Sequence, residues 1–301
     1  MIHVTVNLPG LMDIMFMKNV FWIIVIMFLG YFAYGQEDTS RMVQILCKDG
    51  NQYIGKIISD QRDTIWLDTE NLGVIKIPAS TIKSSSVVKP TVDSEGTINF
   101  WPVNHHATRY FFGPNGHSLK KGEGYYQNNW VFFNQVSFGV SDNFTMGIGM
   151  VPIFLLGADV FPVWLTPKVS FDIKEDKFSL GAGGLVGSVI GENEGVFGVA
   201  YGITTFGSRD VNASVGFGYG YGGNSWAESP TVSLSAMVRA SKKFYLITEN
   251  YWFGIDDIGL ISLGGRTAWP SVALDYGGII PIGADETIII PWLGISVPFG
   301  F

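Results

Sequence analysis

Charge is scarce in this chain: 15% of its 301 residues are Asp, Glu, Lys or Arg, where an ordinary soluble domain carries about 25%. The charge present is acidic, 26 against 19, for a net of -7. That leaves no basic excess to meet phosphates and excludes a nucleic-acid partner. Cysteine is nearly absent. Cys47 stands alone, which rules out an internal disulfide framework and any Cys-rich metal site. No stretch near the start reaches the roughly 20 apolar residues a membrane helix needs, and from residue 105 onward no useful length shows helical periodicity. What is abundant is apolar (47%), aromatic (14%) and glycine (38 residues). This composition excludes intrinsic disorder and suits a membrane protein whose apolar residues are distributed correctly.

The first organised feature is an export signal over residues 1–35. Lys18 precedes the run Val20 to Ala33, which has the length of a signal-peptide core and not of a span. Ala33 and Gly35 supply the small residues for cleavage before Gln36, and Met17 reads as the natural start. Residues 39–90 read as a small periplasmic β-barrel module. Short strands are separated by turns, with Lys48-Asp49-Gly50-Asn51 a hairpin signal, and Cys47 is expected in its core. The pattern Leu46-x-x-Asp49-Gly50, with Gly55 and then Thr64-Ile65-Trp66-Leu67, resembles Sm-like and SH3-like small barrels. The Asn and the Arg-Gly pair of the Sm motifs are missing, so RNA binding does not carry over. Residues 91–104 form a linker.

Residues 105–301 alternate with period 2. Val232, Leu234, Ala236 and Val238 share one face against Thr231, Ser233, Ser235, Met237 and Arg239; Val211 to Tyr221 alternates with Asn212, Ser214 and glycines. Phe144-Met146-Ile148-Met150 and Phe197-Val199-Tyr201-Ile203 are read the same way, as apolar faces toward lipid. Of the 38 glycines, 31 follow residue 100. A face of Gly, Ser and Thr fits a lumen better than bulk water, and the fold class expected is an all-β, transmembrane antiparallel up-and-down barrel. Twelve strands are expected, at about 105–112, 124–140, 143–152, 162–172, 177–190, 195–207, 210–222, 230–240, 243–254, 258–266, 271–280 and 287–300. Every second connection is short and polar, which puts both termini on the periplasmic side.

The chain ends on an alternating strand with Phe299 and Phe301, which resembles the C-terminal signal read by the barrel-insertion machinery of Gram-negative bacteria. Thr108-Arg109-Tyr110, Leu119 to Asn128, Thr205 to Asp210, Glu249-Asn250-Tyr251 and Pro291 to Gly294 carry a broader likeness. On these residues the chain resembles the uncharacterised outer-membrane β-barrel proteins of Bacteroidetes-type bacteria. The resemblance implies fold, outer-membrane location and lipid contact, and brings no activity, cofactor or site.

Chemistry is sparse. His105, His106 and His117 are the histidines after the signal, none beside a serine on a strand rim, so no enzyme, catalytic residue, metal or cofactor is expected. Parity sends Arg109, Lys168, Arg239, Glu249, Arg266 and Asp275 into the lumen, since a charge toward lipid costs about 2–4 kcal/mol at mid-bilayer. They form either a structural ion-pair network or a cationic lining that favours anionic solutes. Glu249 is expected to brace Arg239 and Arg266. Two functions stay open: a passive channel for small solutes, or a structural barrel with a filled lumen whose 39–90 module docks a periplasmic protein partner. A lipid-modifying enzyme ranks last.

Overall fold

A computed structural model describes residues 42–61, 63–92, 98–191, 195–254, 258–283 and 288–300. The export signal predicted over 1–35 and Phe301 lie outside the described residues. Among the described residues no helix is long and apolar enough to cross a membrane; the chain is built of strands.

The first sheet has six: β1 Met42–Cys47, β2 Gln52–Gln61, β3 Thr64–Thr69, β4 Gly73–Pro78, β5 Ile82–Val92 and β6 Ile98–Pro102. Val43, Ile45 and Cys47 alternate inward on β1 and pack with Leu67 and Ile77 into a small core. Gly50 turns the β1–β2 hairpin at φ 91°, a left-handed conformation that glycine adopts without steric cost, and Asp49 accepts the Asn51 N–H at 3.0 Å. The order is β4-β3-β2-β1-β5-β6, with β4 and β6 as edges. The sheet is therefore open in its hydrogen bonding, where the sequence predicted a closed small barrel. Part of the predicted linker is itself strand: residues 98–102 extend the sheet by pairing with the far half of the eleven-residue β5.

The second sheet closes on itself. Its strands are β7 Gly124–Asn129, β8 Phe133–Gly139, β9 Phe144–Met150, β10 Phe161–Leu165, β11 Lys168–Lys174, β12 Phe178–Ile190, β13 Val196–Gly207 and β14 Val211–Gly222. They continue with a two-residue β15 (Ser225–Trp226) beside β14, then β16 Thr231–Arg239, β17 Phe244–Trp252, β18 Gly259–Ala268, β19 Ala273–Ile282 and β20 Ile290–Phe299. β10 and β11 both lie between β9 and β12. They are two halves of one staff, broken at Thr166-Pro167, where proline offers no N–H to a ladder. β20 pairs with β7 from Phe299↔Gly124 to Gly294↔Asn129. The result is a closed twelve-stranded antiparallel barrel.

The faces are those of a membrane barrel. Leu263, Leu293, Phe217 and Phe206 are among the most exposed residues, while Ser137, Thr145, Thr205, Ser214, Ser235 and Ser296 are buried inside. This inverts a soluble sandwich. In water such an outside would expose a large apolar band; in a bilayer it is the lipid-facing surface, and a closed ring leaves no open edge. The chain is an outer-membrane-type barrel.

The predicted count of twelve is reached by different strands. Residues 105–112 form no strand. The predicted strand 124–140 is a hairpin, β7 and β8, turned at Trp130 (φ 48°) and Val131 (φ 68°). Asn128 supports that turn by donating to the Val131 carbonyl at 2.8 Å, and the Trp130 indole donates to the Pro291 carbonyl at 2.6 Å. One strand face is also reversed. On β13 the buried residues are Ile203 and Thr205, and Val199 and Tyr201 line the lumen; the exposed partners are Ala200, Gly202 and Phe206. The pairing of Thr205 with Ser179 and Ser214, both buried, sets that phase.

Candidate functional site: a plugged lumen

The segment predicted as the first strand occupies the lumen. Residues 104–111, 113 and 115–119 are buried. The segment enters at the end carrying the short turns, where the Asn104 amide donates to the Arg209 carbonyl at 2.9 Å. It reverses in a tight turn, Tyr110 N–H to Gly113 carbonyl at 2.9 Å, with Arg109 bridged to Pro114 and Asn115 N–H returning to the Thr108 carbonyl. It leaves by the same end: Arg209 donates to the Ser118 carbonyl at 2.7 Å, and the Ser118 hydroxyl donates to the Asp142 carbonyl at 2.5 Å. We call residues 103–123 the plug.

A plug backbone has no ladder of its own, so its polar groups must find partners on the wall. Three wall groups supply them. The first is an ion cluster at the turn. Asp275 on β19 accepts from Arg266 Nε at 2.6 Å and from Arg109 Nη1 at 2.7 Å, with all three side chains at most 2% exposed. The same guanidiniums hold plug carbonyls: Arg109 those of Tyr110 and Phe111, Arg266 those of His106 and Tyr110. Second, Lys168 on β11 donates to the carbonyls of His117 (2.6 Å), Asn115 (3.1 Å) and Thr108 (3.3 Å). Third, Glu249 on β17 receives the N–H groups of Phe111, Phe112 and Gly113 at 2.7, 3.0 and 2.9 Å, and the Tyr251 hydroxyl at 2.8 Å. Hydrogen bonds to an ionised partner are the stronger kind; those of Asp275 with Arg109, and those of Arg266, Lys168 and Glu249 with the plug backbone, tie plug to wall, while those of Arg109 to Tyr110 and Phe111 brace the plug turn itself.

These positions answer the sequence expectations one by one. Lys168, Arg239, Glu249, Arg266 and Asp275 are all buried on barrel strands. Arg109 is buried too, but on the plug. Glu249 does not brace the two arginines. Arg239 and Arg266 are both level with Tyr245, four residues from Glu249 along β17, or about 13 Å at strand rise. Arg239 pairs instead with Asp210 at 3.2 Å, and Asp210 also takes Lys89 of β5 at 2.5 Å and the Tyr245 hydroxyl at 3.2 Å. The Arg239 guanidinium sits over the Trp101 ring of β6. Asp210 and the plug's backbone partners were missed by sequence; Asp210 sits in a short polar turn that gives no sign of its partner 29 residues on. Phe299 pairs with Gly124 at the seam of the closed barrel.

The three histidines sit on the plug. Burial above all, then Arg109, Arg266 and His105, hold the His106 imidazole well below its ordinary pKa. Burial likewise lowers His117, with Arg209 adding to it against the opposing pull of Asp172. Among the described residues no three His, Cys, Asp or Glu are grouped to hold an ion.

No family model and no curated protein matches this chain. Among solved structures it is similar to the NanC porin, at 9% identity and a TM-score of 0.39 over 59% of this chain and 98% of that one. It is also similar to a loop-L8 deletion mutant of OmpT, an outer-membrane protein of Vibrio cholerae, at 12% identity and a TM-score of 0.35 over 86% of this chain and 96% of that one.

Proposed function

We propose that this protein is an outer-membrane passage for small solutes held shut by its own residues 103–123, opened when that plug is withdrawn from the short-turn end. The observation that carries the reading is the buried cluster Arg109–Asp275–Arg266, in which a plug guanidinium shares the wall's buried carboxylate with Arg266. A lumen that were simply left open would need no such partner.

Two features support a plug that moves with the N-terminal sheet. Strand β6 ends at Pro102 and the buried plug begins at Asn104, so no slack separates them. The Lys89–Asp210–Arg239 contacts fasten that sheet to the barrel beside the plug's entrance. With the export signal at 1–35, residues 39–90 belong on the periplasmic side, where a protein partner would engage them. The charges at 168, 239, 249, 266 and 275 act in this reading as plug and wall braces. They are spent on partners, which argues against a free cationic ring selecting anions.

Planar bilayers test the reading with the full chain. It should be silent, and Asp275→Asn should show discrete openings. Steady conductance in the unaltered chain would overturn the closed state. Silence in both would favour the second reading, a structural barrel with a permanently filled lumen, which the sixteen-residue extent of plug burial also suits.

A further inference from the structure

The plug tip does not fill the end of the lumen away from the short turns. There a cavity of about 320 Å³ is floored by Phe111 and Phe112 and walled by Trp130, Phe133, Phe253 and Trp292. The rings support one another. Trp130 meets Trp292 edge to face at 4.8 Å between centroids, Phe111 lies 5.8 Å from Trp292, and Phe253 stacks on Tyr251 with 8° between planes.

Of the polar groups that reach this cavity, the Glu249 carboxylate and the Ser262 hydroxyl are already engaged, while the Trp292 indole N–H is buried without a hydrogen-bond partner. Each Glu249 oxygen takes two donors, Phe111 and Phe112 N–H on one and Gly113 N–H and the Tyr251 hydroxyl on the other. A carboxylate oxygen has two lone-pair directions, so none is left for a ligand. The Ser262 hydroxyl donates to the Glu249 carbonyl, and the Asn129 side-chain Oδ1 accepts from the Gln127 amide at 3.2 Å. A charged or sugar-like molecule would lose its water here and find at most one indole N–H in exchange, a cost that disfavours it, whereas a single hydroxyl can be met there. Flat apolar molecules lose nothing of the kind and gain aromatic contact. The apolar character continues beyond the site. A neighbouring cavity of about 180 Å³ shares Phe112 and Tyr251 with it, and the reversed face of β13 brings Val199, Tyr201 and Ile203 to its wall.

We propose that this aromatic vestibule is a binding site for an uncharged, planar, apolar small molecule. An apolar cavity of about 150 Å³ holds benzene, so this one takes roughly a dozen non-hydrogen atoms, the size of a fused bicyclic ring. The ligand would rest on the plug tip itself, on Phe111 and Phe112, whose backbone N–H groups Glu249 holds. The proposal deepens the plugged-barrel reading by naming a ligand class, and it is tested by binding rather than by conductance. A silent bilayer leaves it standing, and a failure to bind leaves the plug standing.

The probe is 2-naphthol, measured by equilibrium dialysis against the full chain in phosphatidylcholine nanodiscs, with empty nanodiscs as background. Saturable binding near one molecule per chain is expected, in the micromolar range that ligand efficiency allows for this size. Naphthalene-2-sulfonate, benzyltrimethylammonium and maltose should each bind at least about tenfold more weakly. Leu260→Trp fills the cavity and Phe253→Ala removes a wall from a loop position outside the barrel ladder. Each should weaken 2-naphthol about tenfold in protein whose heat-shift on a gel shows a folded barrel. No saturable binding above the empty discs, equal binding of a charged or sugar probe, or unchanged affinity in both variants would overturn the proposal.

Discussion

Asp275→Asn removes one negative charge and almost no volume, at the point where plug and wall share an ion cluster. Asp275 is 1% exposed, Arg266 fully buried and Arg109 2% exposed. With the carboxylate present the cluster carries two cations and one anion. Without it, two guanidiniums face each other away from water. Breaking a buried pair by removing one partner costs about 3–5 kcal/mol, because the remaining charge keeps its desolvation penalty. The wall cannot release Arg266, which is fixed on β18, but the plug can carry Arg109 out. The cost therefore falls on plug docking. At about 1.4 kcal/mol per factor of ten, the released fraction should rise by about two orders of magnitude or more. A cysteine in the plug reads this out: Ser118→Cys, 4% exposed in its native setting, on a Cys47→Ser background, labelled with a maleimide too large to enter the closed lumen. Asp275→Asn should accelerate labelling about a hundredfold. Adding Arg109→Gln should recover part of it, since neighbours in one charge network couple by about 0.5–3 kcal/mol. Labelling at the unaltered rate, with no recovery in the double variant, would refute the argument that the cluster holds the plug.

Three further outcomes follow from the same geometry. Glu249→Gln replaces an acceptor of four hydrogen bonds with one carbonyl; it should cost about 1.5–3 kcal/mol of tip docking and raise Ser118→Cys labelling without changing strand content by circular dichroism. Leu263→Arg, at a mid-strand site 66% exposed on the apolar outside, should lower barrel stability in lipid by about 2–4 kcal/mol; at a water-facing site the change would stay within about 0.5 kcal/mol, so an unaffected urea midpoint in vesicles would contradict the membrane-facing assignment. Acid should loosen the plug. The docked state keeps His106 and His117 neutral while a released plug lets them protonate, so docking is fully present above their ordinary pKa of about 6.5 and weakens as pH falls below it, by about 1.4 kcal/mol per pH unit for each that titrates. Labelling that does not rise between pH 7 and pH 5, or that stays acid-sensitive after His106→Gln and His117→Gln together, would remove that linkage.

Alternation made the barrel legible. On β14 and β16 the apolar and small residues take strict turns, and the structure exposes Phe217 and Leu234 while burying Ser214 and Ser235. The short turns at Ser141-Asp142 and Ser208-Arg209 had polar sequences that mark connections. The plug had no such mark. Thr108-Arg109-Tyr110 is extended and mixed in polarity, and a strand and a wall-bound loop look alike over so few residues. The β7–β8 turn was hidden because Trp130 and Val131 are apolar and adopt left-handed backbone without glycine. On β13 both faces carry little polarity, so parity had nothing to choose with. Sequence parity can say which face a charge takes, but not what the charge meets there. Glu249 meets backbone N–H groups, which every residue except proline owns and which therefore leave no trace in a sequence, and the register that separates it from Arg239 is set by the short turn between β16 and β17.

The glycine-rich inner face gains a second meaning from the plug. Small residues on a lumen wall suggest empty space, and by that logic a channel. Here part of the space belongs to another stretch of backbone. A Cβ on Gly139 would lie 2.0 Å from the Lys120 carbonyl oxygen where the plug runs into β7, and a Cβ on Gly181 would come within 3.5 Å of the Cα of Gly116. These glycines let backbone approach backbone closely. Both serve the returning leg of the plug, and Trp130, Trp292 and Phe133 gather where the plug stops. Beyond the last residues of the plug the lumen is thus an aromatic-walled cavity. A barrel selected only to let water and ions through would have no use for that aromatic cavity, and a barrel selected only to be filled would carry the plug to the far end.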